Sequence, residues 1–143
     1  MTDFRKLTDA VFASPQIDQG DVETAKAEGF ALIVNNRPDG EDPSAPQGDD
    51  IAEAARSAGM EYVAIPIGHA GFSEPQIDQM MAALDAADGP VLAYCRSGTR
   101  STFLWALAQA KAGGNPEDIT IAAMKAGYDV SPIRPMLDML AAR

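Results

Sequence analysis

Short apolar runs alternate with stretches of helical spacing along the whole chain. Ala10-Val-Phe-Ala13 is an apolar run closed by Ser14-Pro15, and it predicts an edge strand. Asp18 offers an N-cap, and Val22, Ala25 and Ala27 follow at helical spacing until Gly29. Phe30-Ala-Leu-Ile-Val34 is continuously apolar, as a strand buried on both faces must be. A helix is predicted over 50–58, stopped by Gly59, and Tyr62-Val-Ala-Ile65 is the next strand, ended by Pro66. Ser73 and Gln76 have the form of a capping box with Pro75 in the first turn, opening a helix that runs through Ile77, Met80, Met81 and Leu84 toward Gly89. Pro90-Val-Leu-Ala-Tyr94 is the last strand, followed by a short loop and a long apolar helix from Ser101 to about Ala112. Asn115-Pro116 and Ser131-Pro132 look like cap-plus-first-turn pairs for two closing helices. Strands alternating with helices imply βαβ units, hence an α/β fold with helices flanking a mostly parallel sheet of roughly four or five strands.

One domain is expected over residues 1–143. The run 39–50 holds two prolines, two glycines and five carboxylates, and reads as a surface loop within that domain. At 46% hydrophobic and 22% charged residues, the chain can bury a core. A formal charge of −10 repels phosphate backbones and anionic lipid, which argues against a nucleic-acid or membrane role. No stretch approaches the ~20 apolar residues of a membrane span, and the first ten residues lack a signal-like apolar run, so a cytoplasmic location is expected. One cysteine excludes an internal disulfide, and one histidine beside it leaves too few soft ligands for a structural zinc site. Neither a metal nor another cofactor is expected.

The chemistry is concentrated in Val91-Leu-Ala-Tyr-Cys95-Arg-Ser-Gly-Thr-Arg100-Ser101. Cys95 stands at the carboxyl end of a predicted parallel strand, where ligands of such sheets bind. The backbone amides of residues 96–101 can curl into an anion-binding nest, and the following helix points its positive end at the same place. Gly98 permits backbone geometry closed to other residues, while Arg96 and Arg100 add positive charge. Each of these favours a thiolate, so Cys95 is expected to be a nucleophile in a pocket suited to a small anionic, tetrahedral group.

Cys-Arg-Ser-Gly-Thr-Arg-Ser resembles the active loops of two related chemistries. Rhodanese-type sulfurtransferases place the loop arginine five positions after the cysteine, as Arg100 follows Cys95. Cysteine-based phosphatases have the glycine three after the cysteine, as Gly98 is, but an arginine six after, where this chain has Ser101. Their usual histidine before the cysteine is here Tyr94. Beyond the loop, Phe12-Ala-Ser-Pro-Gln16, the run 29–39 with its Asn-Arg-Pro-Asp, Tyr62–Ile67 and Pro90–Cys95 resemble the dual-specificity phosphatase layout. More closely, residues 8–140 are similar to the bacterial DUF442 family, described as beta-lactamase-hydrolase-like with a phosphatase-like domain.

The resemblance implies a dual-specificity-phosphatase-like fold and a hydrolase in which Cys95 attacks phosphorus while Arg100 and the loop amides hold the oxygens. The family's general-acid aspartate follows an Ile-Pro strand end; in Ile65-Pro-Ile-Gly-His69, His69 takes about that slot. It could equally be a solvated loop residue. Sulfur transfer through a persulfide on Cys95 is the alternative and needs no acid. A non-catalytic oxyanion binder and a redox-sensing cysteine remain as further alternatives.

Arg37 and Asp39 would brace the loop or touch substrate, or else form a surface ion pair with each other. Ser97, Thr99 and Ser101 could donate hydroxyls to an anion or to the thiolate, although Ser101 could instead cap the helix. Glu74 and Asp78 suit a solvated helix face. Trp105, Phe103, Leu104 and Leu107, with Met80, Met81, Met136 and Met139, read as core.

Overall fold

Four parallel strands and one antiparallel edge strand build the sheet of the computed structural model, which describes residues 2–143. The strands are β1 (Arg5–Lys6), β2 (Val11–Ser14), β3 (Leu32–Asn35), β4 (Glu61–Ala64) and β5 (Val91–Tyr94), in the spatial order β1-β2-β5-β3-β4. The helices are α1 (Gln19–Ala27), α2 (Gly48–Ser57), α3 (Glu74–Ala86), α4 (Thr99–Lys111), α5 (Pro116–Lys125) and α6 (Arg134–Ala141). This is the single α/β domain expected, with five strands.

β5 lies at the centre, and all four of its residues are buried. Its alternation divides the interior into two layers. Val91 and Ala93 face a core with Leu104, Trp105, Leu107 and Leu137, on the side of α3 to α6. Leu92 and Tyr94 face the other core, with Val22, Ala25, Ile51 and Ala55 of α1 and α2. The period-two side-chain alternation of a strand makes both sets apolar, which is why β3 and β5 appear in sequence as unbroken hydrophobic runs. Parallel register aligns Ser14 and Asn35 with Tyr94, and Ala64 with Asn35. The residues after these positions therefore leave the sheet at one common edge.

Several expectations are corrected. Val11–Ser14 is not an edge strand, because Arg5 and Lys6 pair with Ala13 and Phe12 and take that place. Two charged residues carry no apolar signal; Thr8 makes their return, its Oγ1 accepting the amides of Ala10 and Val11, both at 3.1 Å. α2 starts at Gly48 rather than Asp50, with Gln47 at the N-cap. α4 starts at Thr99, so Ser101 is its third residue and not its cap. Ser131 caps no helix either: Asp129 accepts its amide at 2.9 Å, Ser131–Ile133 forms a 3₁₀ turn, and Pro135 supplies the first turn of α6. Met139 is 54% exposed rather than core, whereas Met80 and Trp105 are buried.

Candidate active site

The edge of the sheet where Cys95, Asn36 and Pro15 leave their strands carries the candidate chemistry. β5 ends at Tyr94 and α4 begins at Thr99, so four residues turn the chain from strand to helix. The turn requires Gly98 on two grounds. Its φ is +94°, and a Cβ there would lie 2.0 Å from the Tyr128 hydroxyl oxygen. Tyr128 in turn donates its hydroxyl to Ser97 O at 3.1 Å, and the Gln16 amide donates to Arg96 O at 3.2 Å. The loop is thus held by the segment after α5 and by the exit of β2.

Cys95 is fully buried at the floor of this turn. Its amide donates to Ser14 O at 3.3 Å, and its Sγ accepts the Gly98 amide at 3.1 Å. Among the described residues, the amides of Arg96, Ser97, Arg100 and Ser101 donate to no protein acceptor. Ser97 Oγ accepts the Thr99 amide at 3.3 Å and bonds Thr99 Oγ1 at 3.0 Å. The loop thus carries four uncommitted backbone donors ahead of a helix and a fifth on the Cys95 sulfur, an arrangement that can bind an anion.

Arg100 is fixed by a group absent from the sequence-based candidates. Its Nη1 and Nη2 donate to the two carboxylate oxygens of Glu41 at 2.8 and 2.7 Å, and Nη1 also donates to Ile67 O at 2.9 Å. Arg37 joins from the other side, its Nε donating to Glu41 at 2.9 Å and its Nη1 to Gln16 Oε1 at 3.0 Å. The Arg100 guanidinium, with a second hydrogen bond from Arg37, holds the Glu41 carboxyl down at about 2, although burial acts in the opposite direction. Glu41 raises the Arg100 pKa most, with a smaller contribution from the neighbouring Cys95. Glu41 lies in a carboxylate-rich loop of solvated appearance; its spacing of four from Arg37 was the available local signal.

Among the described residues Asp39 does not pair with Arg37; its Oδ1 accepts the Gly48 amide at 2.8 Å and so holds the start of α2. Ser101 is buried, and its hydroxyl donates to Asn36 Oδ1 at 2.7 Å rather than pointing its proton at the sulfur. Asn36 Nδ2 donates to Ile65 O at 2.9 Å and its backbone amide to Tyr94 O at 2.8 Å, joining the ends of β3, β4 and β5 to α4. His69 is exposed, in the turn just beyond Ile67, whose carbonyl Arg100 binds. Glu74 and Asp78 meet Lys111 at the surface. Among the described residues, no group of three or more His, Cys, Asp or Glu side chains is placed to hold a metal ion. No helix there is long and apolar enough to cross a membrane.

The family profile for the beta-lactamase hydrolase-like protein, phosphatase-like domain matches residues 3–112, and the chain belongs to that family. A beta-lactamase hydrolase-like protein of Agrobacterium fabrum is 39% identical over 93 residues, covering 65% of this chain and 22% of the relative. The chain thus spans about a fifth of the length of the curated relatives it matches. A structure from Neisseria meningitidis, described as a candidate phosphatase, superposes with a TM-score of 0.83 and 31% identity over 95% of this chain and 96% of the other. A DUF442 structure from Shewanella putrefaciens shares the fold at a TM-score of 0.77 and 22% identity, over 98% of this chain and 91% of the other. The fold is therefore phosphatase-like, as the DUF442 resemblance implied.

Proposed function

We propose that this chain is a cysteine-dependent phosphatase that hydrolyses a phosphate monoester. The observation that supports this reading is Cys95 Sγ on the Gly98 amide, in a loop with four uncommitted amides and with the neighbouring Arg100 held by Glu41. The Cys95 thiolate attacks phosphorus, an S–P bond forms, and the ester P–O bond breaks with its electron pair leaving on oxygen. The Arg100 guanidinium and the uncommitted amides of Arg96, Ser97, Arg100 and Ser101 take the charge on the non-bridging oxygens. His69, two residues after the Ile67 carbonyl that Arg100 binds, donates the proton that the leaving oxygen needs. Water then attacks phosphorus and gives a proton back to His69, the S–P bond breaks with its electron pair returning to sulfur, and inorganic phosphate leaves with the thiolate regenerated. Arg37 acts through Glu41, and Asp39 through the start of α2, so both are positioning residues.

One observation favours a second reading. The five-residue step from Cys95 to Arg100 matches the rhodanese count, and a persulfide on Cys95 would need no acid. Turnover of p-nitrophenyl phosphate by the reduced protein, together with intact mass after exposure to thiosulfate, separates the two, with Cys95→Ser alongside. Turnover lost in the variant, with no mass gain, supports hydrolysis. A gain of one sulfur atom, absent from the variant and without phosphate turnover, replaces the phosphatase reading with sulfur transfer.

A further inference from the structure

In a chain of net charge −10, the eleven Lys and Arg side chains are accounted for in two ways, with one exception. Seven of them pair with carboxylates among the described residues. Lys26, Arg56 and Lys125 stand in the last turns of α1, α2 and α5, where the negative end of the helix dipole favours a cation. Arg96 has neither. It is exposed, and among the described residues its side chain makes no ion pair and no hydrogen bond. It also sits two residues before Gly98, the N-cap of α4, where the dipole is positive.

The surroundings sharpen the anomaly. Arg100 follows within the next turn and adds a like charge, partly answered by Glu41, which Arg37 shares. The acidic group that feels Arg96 is Asp42, but its carboxylate is committed to Ser44, accepting the amide at 3.0 Å and the hydroxyl at 2.7 Å. The backbone of Arg96 is pinned through its carbonyl to Gln16. Its exposed side chain therefore starts from a fixed point of the Cys95 loop. A single phosphoryl group seated on the amides is already met by Arg100, which leaves Arg96 for another negative group on the same molecule.

We propose that Arg96 is a specificity-determining residue that binds a second anionic group of the substrate, so that the preferred substrates carry two neighbouring anionic groups, such as adjacent phosphates. This rests on the phosphate reading of the Cys95 loop. A charge-assisted pair with a planar guanidinium can serve either a phosphate or a carboxylate, and the phosphate form is the one tested.

The test is calorimetric titration of the full chain with inorganic phosphate and with pyrophosphate at fixed ionic strength. Wild type, Arg96→Ala, Arg96→Lys, Arg56→Ala and Arg100→Ala are compared. The wild-type preference for pyrophosphate is expected at ~10-fold or more, falling to within about threefold in Arg96→Ala and recovering in part in Arg96→Lys. Arg56→Ala removes the same charge at a distance and is expected to keep the wild-type ratio. Equal affinities in wild type, an unchanged ratio in Arg96→Ala, or an equal collapse in Arg56→Ala would overturn the inference. If wild type binds neither anion, or if Arg100→Ala binds both as wild type does, the phosphate reading itself fails and takes this inference with it.

Discussion

Glu41 holds Arg100 end-on, its two oxygens accepting from Nη2 and Nη1 at 2.7 and 2.8 Å while the same carboxylate takes Arg37 Nε at 2.9 Å. A carboxylate 59 positions away in the chain thereby sets where the loop arginine points. Glutamine in its place lacks the negative charge and the second acceptor oxygen, so one of the two bonds to Arg100 is lost. For Glu41→Gln we expect kcat/KM on an aryl phosphate to fall by ~10-fold or more, because a misplaced guanidinium loses transition-state contact. The cost to stability is about 1 kcal/mol, since the Glu41 side chain is 25% exposed and water already screens the bridge. Steady-state kinetics with urea unfolding on the same samples checks both. Unchanged kinetics in Glu41→Gln would remove Glu41 from the site.

The same bridge carries an acid signature. The Glu41 carboxyl titrates at about 2 when folded against an ordinary 4.5, so it binds its proton more weakly in the folded state. Its contribution is therefore complete above pH 4.5 and is lost as the pH falls toward about 2. Urea unfolding from pH 6 downward should show the stability gap between wild type and Glu41→Gln closing across that window. A gap that stays constant to the acid limit would mean the bridge does not form.

Gly98→Ala separates two demands made on one residue. The new methyl would meet the Tyr128 hydroxyl at 2.0 Å, on a backbone with φ of +94°. Together these are expected to cost ~1–3 kcal/mol and to displace the Cys95 loop. Adding Tyr128→Phe removes the clashing oxygen but leaves the φ strain and a ring carbon 2.8 Å from the new methyl, and it takes the donor from Ser97 O. Partial recovery of stability in the double variant is the expected result; full recovery would show that the backbone strain is small.

The architecture was legible because β3 and β5 are apolar on both faces and because Asp18, Ser73 and Asn115 announce their helices as N-caps, each accepting a first-turn amide. Cys95, Gly98 and Arg100 were legible as a loop because they are contiguous. What escaped is what the fold brings from afar. Glu41 reaches Arg100 across 59 positions, Asn36 meets Ser101 across 65, and Tyr128 meets Ser97 across 31. No periodicity or spacing records such pairs. β1 escaped for a different reason: a two-residue strand of Arg5 and Lys6 is stabilised by pairing and not by burial. The second of two prolines opened α6 because Asp129 had already turned the chain at the first.

Ser101 offers a test of whether its hydroxyl serves the fold or the sulfur. It is fully buried and donates to Asn36 Oδ1 at 2.7 Å, while Asn36 spends its own amide on Ile65 O at 2.9 Å. Ser101→Ala would leave the Asn36 oxygen buried without that donor, a loss of ~1–3 kcal/mol. Ser101→Thr keeps a hydroxyl but adds a methyl in a place with no exposed surface, and is expected to recover less than the lost bond. If the hydroxyl belongs to the fold, activity per folded molecule falls less in Ser101→Ala than in Arg100→Ala, while the urea midpoint moves clearly. If the midpoint holds and activity falls as far as in Arg100→Ala, the hydroxyl turns to Cys95 during the reaction, and the bond to Asn36 is its resting position.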